Sequence, residues 1–327
     1  MEDYFVILPN ELFVHFEFDL SSFINLSIIS KTINTKMCSI KNKIINVRTN
    51  YDKRTIRWKK IINNISVSFV GNLDYFESLD VINLTDWSKK VKNIHFLKKY
   101  GSLRKLTLEQ VKINDISPIK DLKNLRELSL FNMTVKDISP LINLNLEVLD
   151  LSYNEIDNIS ILKTNNIRKL KLIENPLNDI SVLTFATSLI YLDLSRTLVI
   201  DLSPIKNITS LKYLDLSVTP IADISPIKNI TSLTYLNLSR TRVTDISLLN
   251  NIISIYSLNL SHTIVSDISS LDRMQSLFEL DLTDTNIKNI TSLIKLNSLR
   301  YITITITEHK IRGLSSFIEH NPLCQIK

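Results

Sequence analysis

From residue 103 onward the apolar and polar positions obey one rule. The pattern LxxLxLxx(N/T)x(I/V/L)x(D/N)(I/L)(S/T)xx restarts at Leu103, Leu125, Leu146, Ile167, Leu189, Leu211, Leu233, Ile255 and Leu277, and a tenth strand opens at Leu299. Seven spacings are 22 residues and two are 21, so nine full units cover residues 103–298. Self-similarity at a fixed period marks a stacked array, in which no unit buries its apolar side alone and each neighbour supplies part of the core. In Leu211-Lys212-Tyr213-Leu214-Asp215-Leu216 the alternation predicts a half-buried strand with Leu214 and Leu216 inward. Stacked in register, such strands make a parallel sheet. Weaker strand-like stretches at Ile65–Phe69 and Val81–Leu84 place one or two degenerate units upstream.

With the first Leu of a unit as position 1, position 9 is Asn154 and Asn175 in early units, then Thr197, Thr219, Thr241, Thr263 and Thr285. A buried Asn there is expected to bridge neighbouring turns of the chain. A Thr ladder is expected to satisfy backbone groups of adjacent coils with a single hydroxyl per coil. Next comes Asp223-Ile224-Ser225-Pro226-Ile227 and its equivalents. Ser225 suits an N-cap and Pro226 the first helical position, which predicts a short helical or 3-10 return leg with Ile224, Ile227 and Ile230 on its inner side.

These columns resemble the leucine-rich repeat family, and the 22-residue DISPL-type unit is similar to the internalin and phosphatase-regulator subclass. The resemblance covers about two-thirds of the chain. It implies an α/β leucine-rich repeat solenoid, with a parallel sheet on the concave face, short 3-10 or helical turns on the convex face, and caps at both ends. The expected layout is a small helical segment over 1–60, degenerate first repeats over 61–102, nine repeats over 103–298, and a last strand with a carboxy-terminal cap over 299–327. In that cap Gly313 makes a turn, and Leu314, Phe317, Ile318 and Leu323 cover the last open core. The export signal and wall-anchor tail of secreted internalins are not found here, so surface adhesion is not carried over.

The front segment departs from the repeat. Leu8-Pro9-Asn10-Glu11-Leu12 begins a helix-like run with Phe13, Phe16 and Leu20 on one face, followed by Phe23, Leu26, Ile28 and Ile29, then Ser30-Lys31. This resembles the F-box, a short three-helix motif of LPxEL, a hydrophobic stretch and a V/I-S/C-K segment. The acidic-Leu pair usual before its last helix is absent, Phe23 and Ile24 standing near that place. The resemblance implies that Leu8, Pro9, Glu11, Leu12 and Phe16 dock a Skp-type adaptor of a cullin ubiquitin ligase. An amino-terminal helical cap that shields the first repeat would make Leu8, Leu12 and Phe16 apolar for a different reason. Lys53–Ile62, with Trp58, reads as a basic helical bridge into the first strand.

Composition narrows the chemistry. Three Gly in 327 residues are too few for a phosphate-cradling loop. Cys38 and Cys324 stand at opposite ends and form no disulfide framework or metal pair, which suits a reducing compartment. The five histidines fall at no metal-ligand spacing. The acidic start Met1-Glu2-Asp3 is unlike a secretory signal, and no apolar run approaches a membrane span, so the expected location is cytoplasmic or nuclear. No cofactor or metal is expected. Ser261, His262 and Asp284 come within reach on neighbouring strands, yet nothing supplies a nucleophile elbow or oxyanion hole, and the chain reads as non-enzymatic.

Charge is uneven. Residues 1–30 carry −5, 31–60 carry +9, 61–88 carry −4 and 89–105 carry +7, so the net charge of +6 belongs to the front third. Lys89, Lys90, Lys92, Lys98, Lys99, Arg104 and Lys105 offer contacts to phosphates, but no recognisable nucleic-acid module accompanies them. The informative surface is the strand face. Its position 3 reads Lys105, Glu127, Val148, Lys169, Tyr191, Tyr213, Tyr235, Ser257, Glu279, Tyr301. Beside it run Asp193, Asp215, Asn237, Asn259 and Asp281. With strands about 4.8 Å apart, ten of them span roughly 45 Å, enough for a protein interface of ordinary size. Tyr191, Tyr213 and Tyr235, with Asp193, Asp215, Asn237 and Asn259, are the expected contacts for a protein client. Joined to an F-box front, such a face would bring a client to a ubiquitin ligase; without it, the chain is a stand-alone repeat scaffold or regulator.

Overall fold

The computed structural model describes residues 80–84, 93–162, 164–305 and 311–327, together with the backbone of three short strands, Phe18–Asp19, Ile45–Arg48 and Asn64–Val67, and of Thr85. The chain divides into two compact units, Met1–Val148 and Leu149–Lys327.

In the first unit β1 (Phe18–Asp19), β2 (Ile45–Arg48), β3 (Asn64–Val67), β4 (Val81–Thr85), β5 (Lys105–Glu109) and β6 (Glu127–Phe131) pair in sequence order, all parallel. β1 falls inside the run from Leu8 to Leu20 read above as helical. β2 also lies in the front segment, where Ile45 and Val47 alternate with Asn46 and Arg48 in a strand-like period of two. The basic bridge over Lys53–Ile62 lies outside the described residues. β7 (Val148–Asp150) lies at the boundary between the units.

The second unit continues with β8 (Lys169–Lys171), β9 (Tyr191–Asp193), β10 (Tyr213–Asp215), β11 (Tyr235–Asn237), β12 (Ser257–Asn259), β13 (Glu279–Leu282), β14 (Tyr301–Ile304) and β15 (Gln325–Ile326), each paired in parallel with the next. Equivalent positions meet: Tyr213 stands opposite Tyr191 on one side and Tyr235 on the other. One coil shows how the sequence builds the core. Leu211, Leu214, Leu216, Ile221, Ile224, Ile227 and Ile230 are all buried, spaced 3, 2, 5, 3, 3 and 3 residues apart. The period of two lies on the strand and the period of three on the 3-10 leg Ser225–Asn229, where every third side chain eclipses.

Three local devices recur along the coils. The return turn is capped by Asp rather than by Ser. Ile224 occupies the cap position and makes no side-chain bond, while Asp223 Oδ1 accepts the Ser225 N–H at 2.7 Å. Asp115, Asp137, Asp179, Asp201, Asp245 and Asp267 repeat this at 2.7–2.9 Å. The bonds hold the Asp115 carboxyl below the ordinary range, first through the Ser117 backbone N–H. Asp201 is lowered chiefly by its bond to the Ser203 side chain.

Position 9 works in two ways. Asn175 Oδ1 accepts the Ile156 N–H of the preceding coil at 3.0 Å, and its Nδ2 donates to Leu151 O and Leu172 O, both at 3.0 Å. It therefore bridges coils, as expected. The Thr ladder does not. Thr197, Thr219, Thr241, Thr263 and Thr285 each donate to the carbonyl three residues earlier in their own coil, at 2.5–2.8 Å, because a single short hydroxyl reaches no further. Coils in that stretch are joined instead by the serine just before each first Leu. Ser210 Oγ bonds Thr187 O and Leu189 O, and Ser232 and Ser254 repeat the contact one coil on each time.

Position 8 is the third device. Gln110, Asn132, Tyr153, Glu174, Arg196, Val218, Arg240, His262 and Asp284 all have φ between 52° and 59°. Left-handed backbone costs a non-Gly residue roughly 1–2 kcal/mol. Its return is that the N–H stays in the inter-coil ladder: Arg196 donates to Ser217 O, Val218 to Ser239 O and Arg240 to Ser261 O, at 2.9–3.0 Å.

The carboxy-terminal end is closed by α1 (Leu314–His320) and β15. Gly313 precedes the helix at φ 87°, and a Cβ there would lie 2.7 Å from Thr291 Cγ2 and 3.0 Å from Thr291 N, so the expected turn requires glycine. Of the four side chains expected to cover the core, Phe317 is fully buried and Leu314 half-buried, whereas Ile318 and Leu323 are exposed. Ile311 and Asn321 take their place. Asn321 is buried and donates to Ile294 O at 2.8 Å, closing a backbone group that the last coil leaves open.

Candidate interaction surface on the strand face

Positions 3, 5 and 7 of a coil alternate with the inward Leu residues, so their side chains stand on the outer side of the strands. Among them the three tyrosines come together. Tyr191 and Tyr213 stack with centroids 3.9 Å apart and planes 8° from parallel; Tyr213 and Tyr235 stack at 4.1 Å and 2°. Identical rotamers repeated by simple translation would keep the strand spacing of about 4.8 Å. The rings are closer than that, so this face draws its side chains together. Lys169, in position 3 of the preceding coil, lays its ammonium 4.6 Å from the Tyr191 centroid and closes that end of the stack. Burial raises the hydroxyl pKa of Tyr191, Tyr213 and Tyr235, so the row presents neutral phenols.

The acidic column beneath is less available than its sequence suggested. Asp193 is 5% exposed and Asp215 8%. Asp193 Oδ1 accepts both the N–H and the Oγ–H of Ser195, at 3.1 and 2.7 Å, and Asp215 does the same with Ser217 at 2.8 and 2.6 Å. Half-buried Asn237 and Asn259 accept the equivalent N–H groups of Ser239 and Ser261, and Asn237 Nδ2 also donates to Asp215 Oδ2 at 3.0 Å. These residues brace the strand ends; the tyrosine edges above them face solvent. Burial raises the Asp193 pKa above the ordinary value, opposed by the Ser195 side-chain bond and reinforced by neighbouring Asp215. Across β9 to β13 the outer positions hold four carboxylates, Asp193, Asp215, Glu279 and Asp281, and no Lys or Arg.

Position 8 flanks this surface with a charged row that the sequence reading did not single out. Arg196 lies 3.4 Å from Glu174, Arg240 Nη2 lies 3.1 Å from His262 Nε2, and His262 Nδ1 lies 3.1 Å from Asp284 Oδ2. That geometry dissolves the Ser261–His262–Asp284 constellation. His262 directs its second nitrogen to Arg240, while buried Ser261 hydrogen-bonds through its backbone to Asn259. Among the described residues no group of His, Cys, Asp and Glu is arranged to hold a metal ion, and no helix is long and apolar enough to cross a membrane. In the basic front third, Lys105 pairs with Glu127 at 2.7 Å and Lys99 lies over Tyr100. Leu8, Pro9, Glu11, Leu12 and Phe16, and with them the adaptor-docking expectation, lie outside the described residues.

Residues 187–229 match the family model described as Leucine Rich repeats (2 copies). No curated protein matches the chain. Among solved structures, an internalin (inlF) from Listeria monocytogenes is similar with a TM-score of 0.66 and 24% identity, over 84% of this chain and 89% of the other. Internalin C2 of the same organism is 33% identical over 57% of this chain and 84% of its own, with a TM-score of 0.56. A leucine-rich repeat protein of Leptospira interrogans is similar over 89% of this chain and 91% of its own, with 17% identity and a TM-score of 0.59. Taken with the in-register strands and 3-10 return legs, these likenesses identify the chain as a leucine-rich repeat protein with a solenoid fold.

Proposed function

We propose that the chain is a non-enzymatic binding scaffold whose strand face, centred on Tyr191, Tyr213 and Tyr235, captures a protein client. The observation that carries this reading is the three-ring stack held on outward strand positions, a rigid, amphipathic surface that needs little further ordering to bind. Its acidic surroundings favour a basic client surface, since charge complementarity sets orientation and encounter. The test is photo-crosslinking in a lysate of the source cells, with p-benzoylphenylalanine in place of Tyr213 and, as control, in place of Lys228 on a return leg. Client adducts are expected from position 213 and not from 228; the reverse pattern removes the proposal. Tyr213→Ala is expected to lose capture. It also gives up two stacking contacts of about 0.5–1.5 kcal/mol each, so binding is compared below the melting range and against Tyr213→Phe, which keeps the stack.

A finer reading adds the front segment. Leu8-Pro9-Asn10-Glu11-Leu12 and Ser30-Lys31 support an F-box-like adaptor site, which would place a client bound on the strand face beside a ubiquitin-conjugating enzyme. Pull-down by a Skp-type adaptor, lost when Leu8 and Pro9 are both changed to Ala, is the expected result. Absence of capture by the native chain leaves the stand-alone scaffold.

A further inference from the structure

The tyrosine stack has two ends, and only one is closed. At the Tyr191 end Lys169 supplies a cation over the ring. At the Tyr235 end position 3 of the next coil is Ser257, too short to reach over the ring, and among the described residues no aromatic or cationic contact falls on that face. The following residue in the same column is Glu279, directly in register with Ser257. Its Oε2 accepts the Ser257 hydroxyl at 3.1 Å, so the carboxylate leans over the gap rather than away from it.

Tyr235, Ser257 and Glu279 therefore form a slot with an aromatic wall, a small hydroxyl floor and an anionic wall. Two strand spacings of about 4.8 Å separate the walls at the backbone. A flat group stacked at about 3.5–4 Å from the ring lies above Ser257, where the carboxylate leaning over that residue meets its edge. Asp215 and Asp281 add negative charge in the column beneath, and no Lys or Arg stands in the outer positions of β9 to β13. We propose that this slot receives the guanidinium of one arginine of the protein client, stacked on Tyr235 and paired with Glu279. Arginine fits better than lysine because its plane lies flat on a ring while its edge pairs with a carboxylate; the ammonium of Lys169 shows the simpler version at the other end. The inference rests on the strand face being the client surface and names what that face recognises.

The test uses the full chain with 13C-labelled tyrosine rings at 150 mM salt, and as probe the peptide acetyl-Ser-Gly-Arg-Gly-Ser-amide. Its counterparts carry lysine or citrulline, the latter nearly the same shape without charge. The arginine peptide is expected to shift the Tyr235 ring signals saturably, the lysine peptide more weakly, and the citrulline peptide at least about tenfold more weakly. Ser257→Lys, which copies the Lys169 arrangement, is expected to close the slot and abolish the shift while circular dichroism stays unchanged. Ser257→Ala keeps the shift, and Glu279→Gln weakens it by at least about threefold. Equal response to arginine and citrulline, or an undiminished shift in Ser257→Lys, overturns the proposal. Client adducts through position 213 beside a silent arginine peptide remove the slot alone, whereas loss of those adducts removes the underlying reading of the face.

Discussion

Replacing Asn175 with Thr imposes on an early coil the solution that the later coils use, and the structure says it fails there. Asn175 Nδ2 shares its two hydrogens among Leu151 O, Leu172 O and Ile173 O, at 3.0–3.2 Å, and Oδ1 accepts the Ile156 N–H. A Thr keeps the equivalent of the Leu172 bond only. Leu151 O retains the amide of Asn154 at 2.9 Å, but the Ile156 N–H, buried between two coils, loses its acceptor. An orphaned buried donor costs about 1–3 kcal/mol and the lost neutral bond about 0.5–1.5, so Asn175→Thr is expected to destabilise by roughly 2–4 kcal/mol. Thr219→Val removes a bond inside one coil and is expected to cost about 1 kcal/mol. Urea denaturation compares the two, and hydrogen exchange locates the effect, with protection lost first at the Ile156 amide. Because coils touch only their neighbours, the break is also expected to broaden the transition or split it. A cost below about 0.5 kcal/mol with unchanged protection at Ile156 refutes the bridging argument.

Further outcomes follow from other coils. Val218 is a β-branched residue at φ 58°, and Val218→Asn, which tolerates that region, is expected to raise stability by about 0.5–1 kcal/mol in the same denaturation assay. Gly313→Ala is expected to cost about 1–3 kcal/mol and to expose Phe317 to solvent, readable by thermal melting and by dye binding at the carboxy-terminal end. Asp193 has its pKa raised by burial, so its favourable contribution is complete below the ordinary value of 3.8 and is lost as pH rises through the higher folded value. Asp193→Asn, whose Oδ1 can take the Ser195 N–H as Asn237 takes that of Ser239, is therefore expected to melt higher than the parent at pH 7 and level with it near pH 3.

Within the nine copies the strands, the 3-10 legs and the inward Leu and Ile positions were legible because they depend on period alone; outside them the period is no guide, and β1 in a run read as helical and Ile318 and Leu323 in the cap came out otherwise. The tyrosine row was legible for the same reason: residues in one column of a register-locked sheet must be neighbours. Three things were not. The left-handed position 8 carries no glycine anywhere, so the usual sequence sign of that conformation is missing; nine unrelated side chains adopt it, and in seven of them the N–H makes a backbone bond to the next coil that offsets the strain. The partner of Thr at position 9 depends on the reach of a hydroxyl, which a pattern does not encode. Burial of Asp193 and Asp215 arises from the serine two residues later, whose N–H and hydroxyl turn an outward carboxylate back onto its own strand. The Asp–x–Ser spacing that signals this was present in every such coil, and in the return turns as well.

Ser210 and Ser232 fasten their coils by the same pair of contacts, and each precedes a first Leu. Excising Leu211–Ser232 would join Ser210 to Leu233 through a junction already used elsewhere in the chain, and would set Tyr191 against Tyr235. Length is thus a free variable of this architecture. Whole coils can be gained or lost in a single genetic event, resizing the aromatic platform by one ring at a time while leaving untouched the lysine that seals one edge and the serine–glutamate gap at the other.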